Sequence, residues 1–263
     1  MISERAHCFH PGNYNGPSLR TRQALQSQTS NGEAIVPAAK KVVLVVGGGG
    51  FVGSDVVKKL SSSNSYDVIA LSRNEYDCLN ENSEDAIKSI IQEKRPNVIV
   101  SCVGSINSDK DFEVNSATGK IAKAASDSAS LEKFIYVSVS DMITSSLSDV
   151  SLFKPYISGK KSSEDDINSS IQVSSRLIIK PTFIYGGDAF GINPPRVTSS
   201  YGSFIRQLLS APALKKLAEV SPPLVKLTLT PPQDVSDVSD AIIEGIDTGL
   251  CGVIDYGVDA GQN

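Results

Sequence analysis

The sequence predicts an α/β domain built on a doubly wound parallel sheet, and three observations predict it. Short apolar runs alternate with helical patterns from Lys41 onward. The first run, Val42–Val46, is continuously apolar, as a strand buried on both faces requires. Four consecutive glycines, Gly47–Gly50, stand where that strand meets the first helical pattern.

Each element follows from its own pattern. After the glycines, Val52, Val56, Val57 and Leu60 share one helical face, and Asp67–Ser72 (DVIALS) reads as the second strand. A helix over Glu84–Lys94 places Ile87, Ile90 and Ile91 on one stripe, and Asn97–Val103 is a strand entered through Arg95-Pro96. Phe112–Ser126 is helical with Ala117, Ile121, Ala124 and Ala125 inward, followed by a strand at Phe134–Val139. Pro155 opens a helix to about Asn168, at a position where proline is favoured, and Val173–Lys180 is the next strand. Beyond Tyr185 the proline pairs at 194–195, 222–223 and 231–232 interrupt two short helices, Phe204–Leu209 and Ala213–Glu219. A last amphipathic helix follows Asp234, with Val235, Val238, Ile242 and Ile246 on one side, before a short strand at Val253–Tyr256. The expectation is one domain over 41–260, with an irregular C-terminal cap from about 186 that folds over the carboxyl edge of the sheet and shapes a substrate pocket.

Composition narrows the function. The 263 residues carry a net charge of −4, which argues against a nucleic-acid groove. No apolar run reaches membrane-spanning length. Four scattered cysteines, Cys8, Cys78, Cys102 and Cys251, form no C-x-x-C pair and read as reduced, without a structural zinc. The only two histidines, His7 and His10, lie in the N-terminal tail, so the body of the chain offers no imidazole for a Ser-His-Asp triad, a His-ligated metal or a His base. Residues 1–40 are polar, with Glu4 and Glu33 against Arg5, Arg20, Arg22 and Lys40, and read either as a disordered extension or as an organellar transit segment.

The glycines have a chemical use. Gly48, Gly50 and Gly53 satisfy G-x-G-x-x-G, and Gly47, Gly50 and Gly53 equally satisfy G-x-x-G-x-x-G. A dinucleotide needs its pyrophosphate against backbone N–H groups at a helix N-terminus, where side chains would hold it away. Placed between an apolar strand and an amphipathic helix, this pattern predicts nucleotide binding. The second strand ends LSRN, offering Arg73 rather than an acid at the adenosine end, which favours NADP(H) over NAD(H), with Glu75 nearby pulling the other way.

A second pattern is Tyr156 and Lys160, four apart and therefore on one helical face. A free phenol, with a pKa of about 10, is a poor acid or base at neutral pH, and a neighbouring ammonium is expected to lower it. Ser140, at the end of the preceding strand, is placed to hold a substrate oxygen beside Tyr156.

Together these segments resemble the short-chain dehydrogenase/reductase superfamily, in its extended or atypical branch (epimerase/dehydratase-like). GGGGFVG matches the branch's glycine fingerprint, with Phe51 and Val52 at its aromatic and apolar positions. YDCLN, with Asp77, is similar to the acidic turn near the adenine, and SCVG, with Val103 and Gly104, to the turn that borders the cofactor. Val114-Asn115 resembles the family's helix asparagine, YVSVSD its catalytic serine segment at Ser140, YISGKKSSE its Y-x-x-S-K-x-x-x-E, and KPTFIYG, with Pro181, its R-P-x-x-x-Y-G. The sequence departs from the family at Val139, where a second serine is common, and at Lys180, which replaces the arginine.

The resemblance implies a Rossmann fold and an NAD(P)(H)-dependent oxidoreductase. Ser140, Tyr156, Lys160 and Asn115 would be its catalytic set. Gly47, Gly48, Gly50, Phe51, Val52, Gly53, Arg73, Asp77, Val103, Gly104, Lys160 and Pro181 would line the cofactor, and no metal is expected. The implied substrate is a small carbonyl, hydroxyl or quinone-related molecule. Lys180–Gly186 and LTPPQDVSDVSDAI, Leu229–Ile242, resemble a subgroup of mitochondria and plastids that includes the accessory NAD(P)H-binding subunit of respiratory complex I. That keeps two other readings open: a non-catalytic NADPH-binding subunit of an organellar membrane complex, and an epimerase with transient hydride transfer. Localisation is expected in a mitochondrion or plastid, otherwise in the cytoplasm.

Overall fold

A computed structural model of the chain describes residues 39–148, 150–186, 191–192, 195–196, 199–209 and 230–259. In chain order it runs β1 (Lys41–Val46), α1 (Phe51–Ser61), β2 (Tyr66–Leu71), α2 (Ser83–Lys94), β3 (Val98–Ser101), α3 (Asp111–Ser126), β4 (Lys133–Val137), α4 (Asp141–Leu147), α5 (Lys154–Ser170) and β5 (Arg176–Lys180). The chain continues through β6 (Ile184–Tyr185), β7 (Gly191–Ile192), β8 (Pro195–Arg196), α6 (Ser199–Leu209), β9 (Gln233–Asp234), α7 (Val235–Thr248), β10 (Gly252–Asp255) and α8 (Tyr256–Asp259). The helix expected over 213–219 lies outside the described residues.

Six strands form one sheet in the order β10-β5-β4-β3-β1-β2, every pair parallel. The strand pleat divides the core. Leu44, Val46, Ile99, Phe134, Tyr136 and Ile178 face α2, α3 and α5, burying Ile87, Ile91, Ile121 and Ile167. The alternate residues Val43, Val45, Val98, Val100, Ile135, Val137, Leu177 and Ile179 face α1 and α7, burying Val56, Leu60, Val238, Ile242 and Ile246. Both faces are thus covered, which is why β1 and β3 read as unbroken apolar runs.

Three expectations are modified. Val173–Ser175 is a 3-10 turn rather than the start of β5. A helix that periodicity did not signal, α4, begins directly after Ser140, whose hydroxyl accepts the Met142 N–H as its N-cap. The segment beyond 186 is more than a cap: α7 packs into the second core layer and β10 adds the sixth strand, paired with β5. No described helix is long and apolar enough to cross a membrane.

The order of the sheet fixes where a ligand would sit. From β1 the chain moves outward to β2, then crosses to β3 on the other side of β1. A crevice therefore opens at the carboxyl ends of β1 and β3, the place where open α/β sheets bind ligands.

Candidate active site

The glycine turn caps that crevice. Gly47 has φ +82°, and a Cβ on it would meet the Cys102 carbonyl at 3.0 Å, so only glycine suits the position. Gly47 and Gly48 both donate to the Leu71 carbonyl, at 2.9 and 3.0 Å, which pins the turn to the end of β2. A Cβ on Gly53 would stand 2.1 Å from the Gly47 oxygen. The third glycine therefore lets α1 lie directly against the turn. Gly50 caps α1 without any side-chain hydrogen bond, and no acid occupies the first helical turn. Phe51, Val52 and Gly53 thus begin a helix whose positive end is left for a ligand. This cradle fits a dinucleotide pyrophosphate.

The second half of the site is made by α3 and α5. They approach closely at Gly159, where a Cβ would lie 2.7 Å from the Phe112 carbonyl and 2.8 Å from the Asn115 Cβ. Ser163 fastens the crossing, donating to Asn115 O at 2.8 Å and accepting Gly119 N–H at 3.2 Å. Asn115 and Lys160 consequently meet at Gly104, where a Cβ would touch Lys160 Nζ at 3.1 Å and Asn115 Oδ1 at 3.2 Å. Lys160 is 5 % exposed and donates to the carbonyls of Val103, at 3.1 Å, and Val137, at 3.0 Å, with its ammonium 4.9 Å from the centre of the Tyr136 ring. Asn115 donates from Nδ2 to Ser105 O and Asp111 O, both at 2.7 Å, while its buried Oδ1 has no protein partner. An orphaned acceptor beside a buried ammonium fits a hydroxyl or water at that spot.

The electrostatics of the pair differ from the sequence expectation, in which Lys160 lowers the Tyr156 pKa. Instead the half-buried phenol is raised above its ordinary value, first by burial and then by the nearby carboxylate of Asp111. Burial also pushes Lys160 down to about 8, against weaker opposing pulls from Cys102 and Glu164. Asp111, almost fully buried and accepting the Ser105 hydroxyl at 2.7 Å, is a site neighbour that the sequence did not single out. Its one signal was an acid in the first turn of a helix.

Ser140 is likewise not placed as expected. Its hydroxyl is fully buried, caps α4, and abuts Gly257, on which a Cβ would lie 2.0 Å from Ser140 Oγ. The residue of this segment that packs with Tyr156 is Val139, together with Ile143. Pro181 holds Ser140 there, its carbonyl accepting the Ser140 N–H at 2.9 Å. At the other end of the crevice Arg73 and Asp77 are exposed, and Asp77 accepts the Leu79 N–H at 3.0 Å.

Behind Tyr156 runs a charged network. Ser138 donates to Glu164 through a short bond, and Lys180 pairs with Glu164 and Asp141, both at 2.7 Å. Burial alone would lower the Lys180 pKa, but the hydrogen bonds and charges of these two acids outweigh it and raise it. The side chains of Lys180 and Glu164 are only 8 and 17 % exposed. Removing the cation would strand Glu164, so Lys180→Met is expected to cost roughly 3 kcal/mol in a urea unfolding experiment, and Lys180→Arg to restore most of it. Among the described residues no cluster of His, Cys, Asp and Glu has the makings of a metal site.

Solved structures with this fold are reductases and epimerases. The dTDP-4-dehydrorhamnose reductase of Bacillus anthracis, in complex with NADP, superposes with a TM-score of 0.57 at 17% identity, covering 83% of this chain and 75% of that one. The corresponding reductase of Yersinia enterocolitica gives 0.56 at 21% identity, covering 82% and 74%. The UDP-glucose 4-epimerase of Thermus thermophilus, in complex with NAD, gives 0.51 at 16% identity, covering 84% and 81%. These likenesses establish the fold as Rossmann-like. No curated protein sequence matches the chain significantly. From the first strand to the residue before Tyr156, over residues 43–155, the chain matches the model of the NAD dependent epimerase/dehydratase family.

Proposed function

We propose that the chain is an NAD(P)(H)-dependent oxidoreductase of the extended short-chain dehydrogenase type, acting on the carbonyl or hydroxyl of a small molecule. The observation that carries this reading is the convergence, at one sheet crevice, of the side-chain-free turn at Gly47–Gly50 with the buried Asn115–Lys160 pair at Gly104. A bound nicotinamide dinucleotide supplies or accepts the hydride. Gly47, Gly48, Gly50, Phe51, Val52 and Gly53 hold its pyrophosphate, Val103 and Gly104 border it, and Pro181 closes the far end. Arg73 and Asp77 flank the adenosine half, and the guanidinium favours NADP(H). Tyr156 donates a proton from its phenol to the substrate oxygen. Lys160 faces the ribose, and the free Oδ1 of Asn115 holds the water through which the phenol is reprotonated. The names of the structural neighbours cover both reduction and epimerisation of sugar nucleotides, and net reduction is the reading favoured here, because a phenol kept protonated by burial is an acid first.

The test is calorimetry of NADH and NADPH binding across pH. Lys160 is a cation below about pH 8 and neutral above it in the nucleotide-free protein. An anionic ligand favours the cation, so binding raises that pKa, and affinity is expected to fall as pH rises above 8. The fall is expected to vanish in Lys160→Met. Absence of binding by either nucleotide at pH 7 would overturn the reading.

A second reading has its own support. With Val139 against Tyr156 and Ser140 committed to capping α4, the hydroxyl expected to orient a substrate is not in place. This favours a subunit that binds dinucleotide without turnover, for which association with an organellar membrane complex is the natural setting. Nucleotide binding without reduction of any carbonyl or quinone would distinguish it.

A further inference from the structure

The end of β2 carries a feature that the proposed chemistry does not use. The residue after the strand, Ser72, lies against the glycine turn: a Cβ on Gly49 would be 3.1 Å from the Ser72 Cβ. Ser72 has two donors at this lip, its N–H and its hydroxyl. Both go to the same oxygen of Glu75, the N–H at 2.8 Å and the hydroxyl through a short bond. The turn is closed around them. The N–H groups of Glu75 and Tyr76 donate to Ser72 O at 3.2 and 3.0 Å, and Asn74 N–H donates to Ser72 Oγ at 3.3 Å. Arg73 is exposed on the same turn. A carboxylate and a guanidinium two residues apart therefore stand at the strand end where a dinucleotide's adenosine ribose is read in folds of this topology. The hydrogen bonds from Ser72 hold the Glu75 carboxyl below the usual carboxylate range, so the charge is present at neutral pH.

We propose that Glu75 is a specificity-determining residue for the adenosine half of the dinucleotide, opposing a 2′-phosphate and so setting the balance between NAD(H) and NADP(H) against Arg73. The proposal rests on the dinucleotide reading of the site. Three physical effects point the same way. The carboxylate fills the two Ser72 donors that a phosphate oxygen at this lip would seek. Its charge repels a dianionic 2′-phosphate. Its second oxygen is an acceptor, which suits a ribose 2′-hydroxyl and not a phosphate. Arg73 acts in the opposite sense, so the native chain is held closer to dual use than its arginine alone implies.

The test is the ratio of NADH to NADPH dissociation constants, by calorimetry at low and high salt, in the unaltered protein, Glu75→Gln, Glu75→Ala and Arg73→Ala. Glutamine keeps an acceptor for Ser72 and removes only the charge, so the turn is preserved. Glu75→Gln is expected to shift the ratio toward NADPH by roughly fivefold, less at high salt, as screening of exposed charges requires. Glu75→Ala, which also frees the two donors, is expected to shift it further, and Arg73→Ala to shift it toward NADH. A ratio unchanged within twofold in both Glu75 variants, or one that moves toward NADH, would overturn the assignment while leaving dinucleotide binding intact. Failure of the unaltered protein to bind either nucleotide would overturn the site itself and this assignment with it.

Discussion

Gly53→Ala is expected to weaken dinucleotide binding at least about a hundredfold, equivalent to roughly 2.7 kcal/mol, while the sheet stays folded. The added methyl would lie 2.1 Å from the Gly47 oxygen, 2.8 Å from the Gly47 carbonyl carbon and 3.0 Å from the Gly48 Cα. All three are backbone atoms, so no rotamer change relieves the clash. Helix α1 resists moving away, because Val56 and Leu60 are fully buried and Lys59 bonds Ser236 O at 2.8 Å and Asp240 at 2.8 Å across to α7. The turn must yield instead, and with it the geometry of its N–H groups. Alanine is otherwise a better helix former than glycine by about 1 kcal/mol, so global stability is expected to change little. Calorimetry with NADPH and a thermal melt by circular dichroism separate the two effects. Binding within a few fold of the unaltered protein would show that the turn is not the phosphate cradle.

The elements that position this cradle were legible because their patterns are local. Continuous apolar runs announce strands covered on both faces, and the residues Val52, Val56 and Leu60 announce the helix behind them. Less of the C-terminal region could be read. Nothing in Val253–Tyr256 says whether a short strand joins the main sheet or a cap, because edge pairing is a long-range choice. The parity of β4 explains the misplacement of Ser140. Phe134 and Tyr136 face α3 and α5, and Ser138 stays on that side, bonded to Glu164. The strand pairing ends at Val137, and after it the pleat no longer dictates direction. The chain turns into α4, which takes the Ser140 hydroxyl as its cap. Helical spacing correctly joined Tyr156 and Lys160 on α5, but spacing holds no information on burial. It is burial, together with Asp111 from another element, that reverses the expected shift of the phenol. Glu75 was visible as a charge near Arg73, yet its engagement with both donors of Ser72 depends on a turn that sequence patterns do not specify.

Tyr156→Phe is expected to reduce turnover by about a thousandfold with dinucleotide affinity unchanged, once a carbonyl substrate is found by a panel assay of NADPH oxidation. The ring remains to pack against Val139 and Ile143, so the fold loses only the hydroxyl. What disappears is a proton donor fixed at the crevice. Because its pKa lies above the ordinary tyrosine value, the phenol is protonated throughout the neutral range, and reduction is expected to be nearly independent of pH between 6 and 9 as far as this group is concerned. Oxidation of the corresponding alcohol needs the phenolate. Its rate is therefore expected to climb with pH, about tenfold per unit, through the same interval. The asymmetry is a signature that a merely structural tyrosine would not give, and it must vanish in the phenylalanine variant. If instead reduction fell away below pH 9 in the manner of a group with a depressed pKa, an ammonium would have to reach the phenol on nucleotide binding. Lys160 would then have to leave the Val103 and Val137 carbonyls, its partners in this structure. Turnover that survived in Tyr156→Phe would remove the tyrosine from the chemistry altogether, leaving the crevice as a nucleotide-binding site with a different acid or with none.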